Sequence, residues 1–414
     1  MFPPERRLKN LPLEVIRLIL LLIPRTRKSL SVVSLVCRAW RRVILHLLFE
    51  AVHISDDDSH EFIVQILGLT DDTAQDPSKY KLSDCVRRLN VDWRVDEQDI
   101  DLALVLRRLK NLEHISWEVP VAWKGWHEIL GVLYQEPPGL RSLLLILAQD
   151  IKSSNPNQIV PLTNLQKLAI GFKEPAWENP RGSPSQALIS LIRGARNIAC
   201  LHLDFQLTES WGEPPWGAAE LFSVLSSDHF PKLRSLWVIT SNSTIINDFG
   251  GPELHQFIEN HNQLQELAII PTMLDGDATA TDSPITITPR NMERLLVAPA
   301  IRRFIGTTPS FNALLQSGVA RQLEALVFSL SPGERLEIGE TKLPCLKRLQ
   351  LLAARLEHWG SVGWAATLGI LGKLAPRTPA LQELVVDVTS YQGEEFRAEN
   401  LPKLLRVLGQ LPDL

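Results

Sequence analysis

The stretch LRSLWV, residues 233–238, decides the fold, because its apolar-x-x-apolar-x-apolar pattern returns along most of the chain. The same core reads VRRLNV (86–91), LEHISW (112–117), LRSLLL (140–145), LQKLAI (165–170), IACLHL (198–203), LQELAI (264–269), LEALVF (323–328), LKRLQL (346–351) and LQELVV (381–386), with a degenerate copy, IRRFIG, at 301–306. These eleven copies start 22 to 37 residues apart, a spacing too irregular for a propeller and suited to a solenoid with loops of unequal length. An earlier segment, FEAVHIS (49–55), alternates Val52 and Ile54 and reads as a leading strand.

Helical patterns separate the cores at Ile100–Leu109, His127–Tyr134, Gln186–Arg193, Ala218–Ser226, Glu253–Asn260 and Ala365–Leu374. A short connection of this kind joins parallel strands, so the expected class is α/β. Strands about 4.8 Å apart must stack beside helices roughly 10 Å across, which bends the sheet into a horseshoe with strands on the concave face and helices on the convex face. Eleven strands would span on the order of 50 Å.

Composition limits what such a chain does. At 414 residues and 45% hydrophobic content it can bury a large core or several small ones. The four cysteines, 37, 85, 200 and 345, form no close pair, so neither a disulfide framework nor a zinc set is expected, and a reducing compartment fits best. Leu18–Ile23 (LILLLI) imitates a signal peptide, but Glu14 and Arg17 precede it closely and no small-residue cleavage site follows. No membrane span is expected.

Charge is uneven. Residues 1–50 hold ten Lys/Arg and three Asp/Glu, net +7, which leaves 33 basic and 44 acidic residues, net −11, for 51–414. A basic module beside an acidic body also fits nucleic acid, yet the arginines are interleaved with a dense apolar pattern that requires a helical partner surface first. Leu11-Pro12-Leu13-Glu14-Val15 opens a helix, with Pro12 in the first turn and Glu14 near the positive end of the dipole. Val15, Ile19 and Leu22 share a face; after Pro24, Ser29 is placed as the N-cap of a second helix; Val36, Trp40, Val43 and Leu47 form the stripe of a third. Three helices in so few residues bury little alone and need a partner.

The repeat units resemble the leucine-rich-repeat family over residues 86–388, although the Asn or Cys that often follows the strand core is mostly absent. The first module resembles an F-box over residues 9–50: Leu11, Pro12, Glu14, Ile19, Leu35, Val36, Cys37, Arg38, Trp40 and Arg41 match its LPxE opening and V-C-R-x-W-R ending. Ser29, after Arg27 and Lys28, stands where the family often has an acidic residue. Together they are most similar to fungal F-box proteins with leucine-rich repeats. The other reading of VCRAW is a buried helix of the first repeat.

The resemblance implies an F-box at 9–50, a linking segment and first strand–helix unit at 51–85, and a repeat domain at 86–414. It also implies a substrate receptor of a Skp-cullin-F-box ubiquitin ligase, with no catalytic, metal or cofactor site of its own, working in the cytoplasm, the nucleus or both. Leu11, Pro12, Glu14, Ile19, Leu35, Val36, Cys37 and Trp40 would meet the Skp-type adaptor and through it a cullin, with Trp40 also anchoring the module's core. The alternative is a repeat scaffold that pairs with the adaptor without a degradation role.

Other motifs have plainer readings. Cys37 has no base near it in sequence, His255 and His261 are six apart and do not share a helix face, and no G-x-S-x-G or phosphate loop occurs. Trp126, Trp216 and Trp364 each open a helix after a loop holding Trp123, Trp211 or Trp359, which reads as packing or as an aromatic ligand row. Asp56–Asp58 and Asp71–Asp76 read as solvated loops. At the C-terminus, either Leu401–Leu408 forms a capping helix or the repeat array is cut short.

With the first, fourth and sixth core positions inward, the third and fifth face the open side of the sheet. In the middle repeats these include Leu144, His202, Trp237 and Ala268, with Ile146, Asp204, Ile239 and Ile270 just beyond the cores. Two readings fit so apolar a strip: a groove for an apolar segment of a protein target, with His202 and Asp204 supplying polar contacts, or a face covered by the loop 272–299.

Overall fold

The computed structural model describes residues 15, 18–19, 27–35, 38–55, 82–92, 102–119, 129, 131–133, 139–147, 162–173, 184–207, 218–240, 251–271, 300–315, 318–330, 336, 339–353, 364–387 and 400–411. Twelve strands form one sheet whose order follows the sequence from β1 to β12. Two compact units divide the chain, residues 1–168 with 190–195, and residues 169–189 with 196–414.

The first unit begins with helices α1 (Arg27–Ser34) and α2 (Arg38–Leu48), which pack against each other. Leu30 and Ile44 are buried. Ile44 lies one helical turn beyond Trp40 and is the most buried residue described on α2, although the spacing above left it off the stripe. Ser29 is not the N-cap expected of it: α1 starts two residues earlier, at Arg27, and places Ser29 in its first turn. Val15, Leu18 and Ile19 are helical. Leu11, Pro12, Glu14, Val36 and Cys37 lie outside the described residues, as does the side chain of Trp40.

Strands β1 (Ala51–Ile54), β2 (Arg88–Val91), β3 (His114–Val119) and β4 (Ser142–Leu147) follow, all parallel and in register. Helix α3 (Leu102–Arg108) comes between β2 and β3. The leading strand read from Val52 and Ile54 is β1, with both residues buried. The boundary between the units runs through β5 (Lys167–Lys173).

In the second unit, helix α4 (Gln186–Gly194), shared between the two units, leads to β6 (Cys200–Leu207). Helix α5 (Ala218–Leu225), β7 (Ser235–Thr240), α6 (Gly251–Glu259) and β8 (Glu266–Pro271) come next. Then follow β9 (Arg303–Thr307), α7 (Thr308–Leu315), β10 (Ala325–Leu330), β11 (Arg348–Ala353), α8 (Trp364–Leu374), β12 (Glu383–Asp387) and α9 (Leu401–Leu408). Residues 401–408 are therefore helical; α9 packs on α8, where a Cβ on Gly372 would stand 3.8 Å from Val407.

Each strand starts at the third core position, not the first, because the first apolar residue arrives from a turn. Its N–H donates three residues back, as in Leu112 to Leu109, Leu165 to Leu162, Leu233 to Phe230, Leu264 to His261, Leu346 to Leu343 and Leu381 to Thr378. The second and third positions then both donate to one carbonyl of the previous repeat: Arg234 and Ser235 to Ala199, Gln265 and Glu266 to Arg234, Arg302 and Arg303 to Gln265. Among the described residues this one backbone device recurs in ten of the eleven cores, whatever their loop length.

Burial follows the period of two. Leu201 and Leu203, Leu236 and Val238, and Leu326 and Phe328 are all at most 2% exposed. The degenerate copy keeps its place because Ile301 and Phe304 fill the first and fourth positions, and Gly306 takes the sixth. Helix α7, absent from the sequence-based reading, follows β9 with no intervening loop and brings Phe311 onto Phe328, ring centroids 4.9 Å apart. Burial within this apolar layer is the main stabilising contribution.

Candidate protein-binding face

The residues alternating with the core form the other face of the sheet. In the second unit Cys200, His202 and Asp204 on β6 are half-buried, as are Ser235, Trp237 and Ile239 on β7, and Glu266 and Ile270 on β8. Parallel register lines them up across the strands. One row runs Cys200, Ser235, Glu266, Arg303; the next runs His202, Trp237, Ala268, Ile305, Val327; the third runs Asp204, Ile239, Ile270.

Five residues expected at a target site, His202, Asp204, Trp237, Ile239 and Ile270, thus come together in two adjacent rows. Leu144 and Ile146 lie on β4 of the first unit, half-buried, beside Ser116 and Glu118 of β3. Ile305 and Val327 extend the apolar row by two strands, and sequence reasoning passed over both. The signal was present, since each is the fifth position of its core, but Ile305 sits in the copy read as degenerate. Ala268 departs from the expected exposure. It is fully buried, a single methyl between Trp237 and Ile305 in the same row, and Ile305 is buried as well, at 6% exposure.

Trp237 is the largest side chain of the patch, and its indole is held on both sides. The ring lies 5.6 Å from that of His202, tilted by 31°. Its Nε1–H donates to Ser235 Oγ at 3.0 Å; the Ser235 hydroxyl donates to Glu266 Oε2 at 3.0 Å; Arg303 Nε approaches Glu266 Oε1 at 3.2 Å. A polar relay across β7, β8 and β9 therefore runs beside the apolar row.

The N-terminal edge of this face carries cross-strand ion pairs. Arg302 meets Glu324 at 2.9 Å, Lys347 meets the same Glu324 at 3.7 Å, and Arg348 meets Glu383 at 2.6 Å. The Glu383 carboxylate, hydrogen-bonded to Arg348, raises the pKa of that already cationic guanidinium. In the first unit Arg87 pairs with Glu113 and Arg88 with Glu50.

Cys85 is buried, and burial together with the nearby Asp84 charge pushes its thiol pKa up, the opposite of a nucleophile's environment. Among the described residues no group of three His, Cys, Asp or Glu is placed to hold a metal ion, and no helix is long and apolar enough to cross a membrane. Trp364 opens α8; Trp123, Trp126, Trp211, Trp216 and Trp359, the aspartates at 56–58 and 71–76, and the loop 272–299 lie outside the described residues.

No family model and no curated protein matches the chain. Among solved structures it is similar to the leucine-rich repeat-containing protein LegL7 from Legionella pneumophila, at 11% identity and TM-score 0.45, over 78% of this chain and 97% of that one. It is also similar to the crystal structure of the yeast Rad7 and Elc1 complex, at 15% identity and TM-score 0.36, over 86% and 92%. A protein from Bacteroides fragilis matches at 12% identity and TM-score 0.37, over 83% and 76%.

Proposed function

We propose that the chain is the substrate receptor of a Skp-cullin-F-box ubiquitin ligase, with no catalytic site of its own, acting in the cytoplasm, the nucleus or both. Residues 9–50 dock on the Skp-type adaptor, and the repeats hold a protein target. The observation that carries the target half is the half-buried apolar set Trp237, Ile239, Ile270 and Val327, ranged about the buried Ala268 and Ile305 on the sheet face opposite the core. Apolar anchors near the middle of an interface supply most of its binding energy, and Trp237, Ile239, Ile270 and Val327 keep the partial exposure such contacts need. His202 and Asp204 belong to the same reading, and Leu144 and Ile146 hold the equivalent positions on β4 of the first unit.

Support for the adaptor half comes from the N-terminal module. Leu18 and Val32 are each 62% exposed and Leu35 is 72% exposed, three large apolar side chains within a small helical module. Co-purification of the tagged chain with a Skp-type adaptor and a cullin is the test, with Leu11→Ala/Pro12→Ala as the control expected to lose both. Adaptor capture without a cullin selects the scaffold alternative, and capture of neither removes the F-box reading.

A further inference from the structure

The ion pairs along the N-terminal edge of the face have a gap. In the second unit the second and third positions of successive cores place five cations there: Arg234, Arg302, Arg303, Lys347 and Arg348. Four of them meet a glutamate on a neighbouring strand, at distances from 2.6 to 3.7 Å. Arg234 does not. Its strand neighbours at the same level are Ala199, whose carbonyl takes the Arg234 N–H, and Gln265, whose N–H donates to the Arg234 carbonyl. Glu266, the carboxylate one position further on, is occupied by Ser235 and Arg303. Arg234 is exposed and, among the described residues, has no ion-pair partner.

Its position gives the gap a meaning. Arg234 immediately precedes Ser235 and stands three residues, about 10 Å of extended strand, from Trp237. The Ser235–Glu266–Arg303 relay fixes the indole without involving Arg234. A guanidinium with five donors, and no carboxylate partner among the described residues, thus stands at the edge of the face that carries a preset aromatic anchor and its apolar neighbours. Such a pairing is complementary to a carboxylate beside apolar side chains.

We propose that the occupant of this face is an extended segment of a partner protein in which an Asp or Glu flanks the apolar residues that sit against Trp237, Ile239 and Ile270. Arg234 pairs with that carboxylate and sets the direction in which the segment lies. The inference rests on the reading of the face as a protein-binding surface and adds the chemistry of the partner.

A displayed random-peptide library, panned over the full-length chain, tests it. Wild-type protein should enrich peptides that combine apolar residues with a nearby Asp or Glu. Arg234→Glu, an exposed change that leaves the core untouched, should exchange the acidic preference for Lys or Arg while keeping the apolar one. For one enriched peptide, Arg234→Ala should weaken binding about two- to fivefold, the range for a part-exposed ion pair. Trp237→Ala should abolish it. Apolar enrichment without an acidic residue, or an acidic preference unchanged by Arg234→Glu, overturns the inference and leaves the protein-binding reading standing. Enrichment indifferent to Trp237→Ala overturns both. Replacing the selected acidic residue by phosphoserine should not improve binding; a gain of tenfold or more, about 1.4 kcal/mol, would assign the site to phosphate instead.

Discussion

Nε2 of His261 accepts a hydrogen bond from the Phe230 backbone N–H at 2.9 Å, while Nδ1–H donates to the Phe257 carbonyl at 2.5 Å. The ring is 1% exposed and occupies the slot that Leu109, Leu162, Phe230 and Leu343 fill in other repeats. With one nitrogen donating and the other accepting, His261 is neutral in the folded chain. A second proton would set N–H against N–H.

That contact gives stability a pH dependence. Burial lowers the His261 pKa below its ordinary 6.5; the Phe257 carbonyl opposes this, and the nearby His229, whose ring stacks at 5.5 Å, adds to it. The unfolded chain therefore binds the proton more readily than the folded one. The contribution is complete above pH 6.5 and is lost as pH falls below it toward the lower folded value. Chemical denaturation at pH 7.5 and 5.5 should show wild type losing stability at the lower pH. His261→Gln, which can donate and accept without titrating, should flatten that part of the profile. An unchanged slope in the variant would assign the pH dependence elsewhere.

Phe257 lies between Phe222, Phe230 and His261, with ring centroids 5.1, 6.0 and 4.3 Å away, and is fully buried. Phe257→Ala should cost about 3–5 kcal/mol in urea denaturation, as a buried aromatic truncation does. Trp237→Ala removes a half-buried ring and one hydrogen bond, and should cost about 1 kcal/mol. Equal losses in the two variants would place Trp237 in the core.

Much of the architecture was readable because one backbone device generates it. Eleven cores could be found since the first and fourth positions are apolar in each and the sixth in all but the copy ending in Gly306, and the structure buries most of them, Leu233, Leu236 and Val238 among them. Helix α7 was missed because it follows β9 directly, leaving none of the turn residues by which a helix start is recognised. His261 was read as one of two histidines flanking a helix; its role depends on the backbone of Phe230, 31 residues earlier, which only the repeat alignment brings close. Ile305 and Val327 were overlooked for a simpler reason, that a core ending in Gly306 looks broken although its Ile301 and Phe304 are intact.

The adaptor half predicts a separation of functions. Leu11→Ala/Pro12→Ala should abolish co-purification of the Skp-type adaptor while the circular dichroism and thermal transition of the repeats stay those of wild type. Trp40→Ala should do the same and also destabilise the N-terminal helices, by about 3–5 kcal/mol if its ring anchors them. Adaptor binding that survives both changes would contradict the F-box reading.

The row at Trp237 is either a surface that binds or a layer that holds the fold. Proximity labelling with the Trp237→Ala/Ile239→Ser chain, run beside wild type with and without proteasome inhibition and paired with its melting temperature, separates the two. The prediction is a melting temperature lowered by no more than about 4 °C, adaptor co-purification intact, and loss of the proteins that wild type labels and that accumulate under inhibition. A collapsed melting transition, or a labelled set identical to that of wild type, would contradict it.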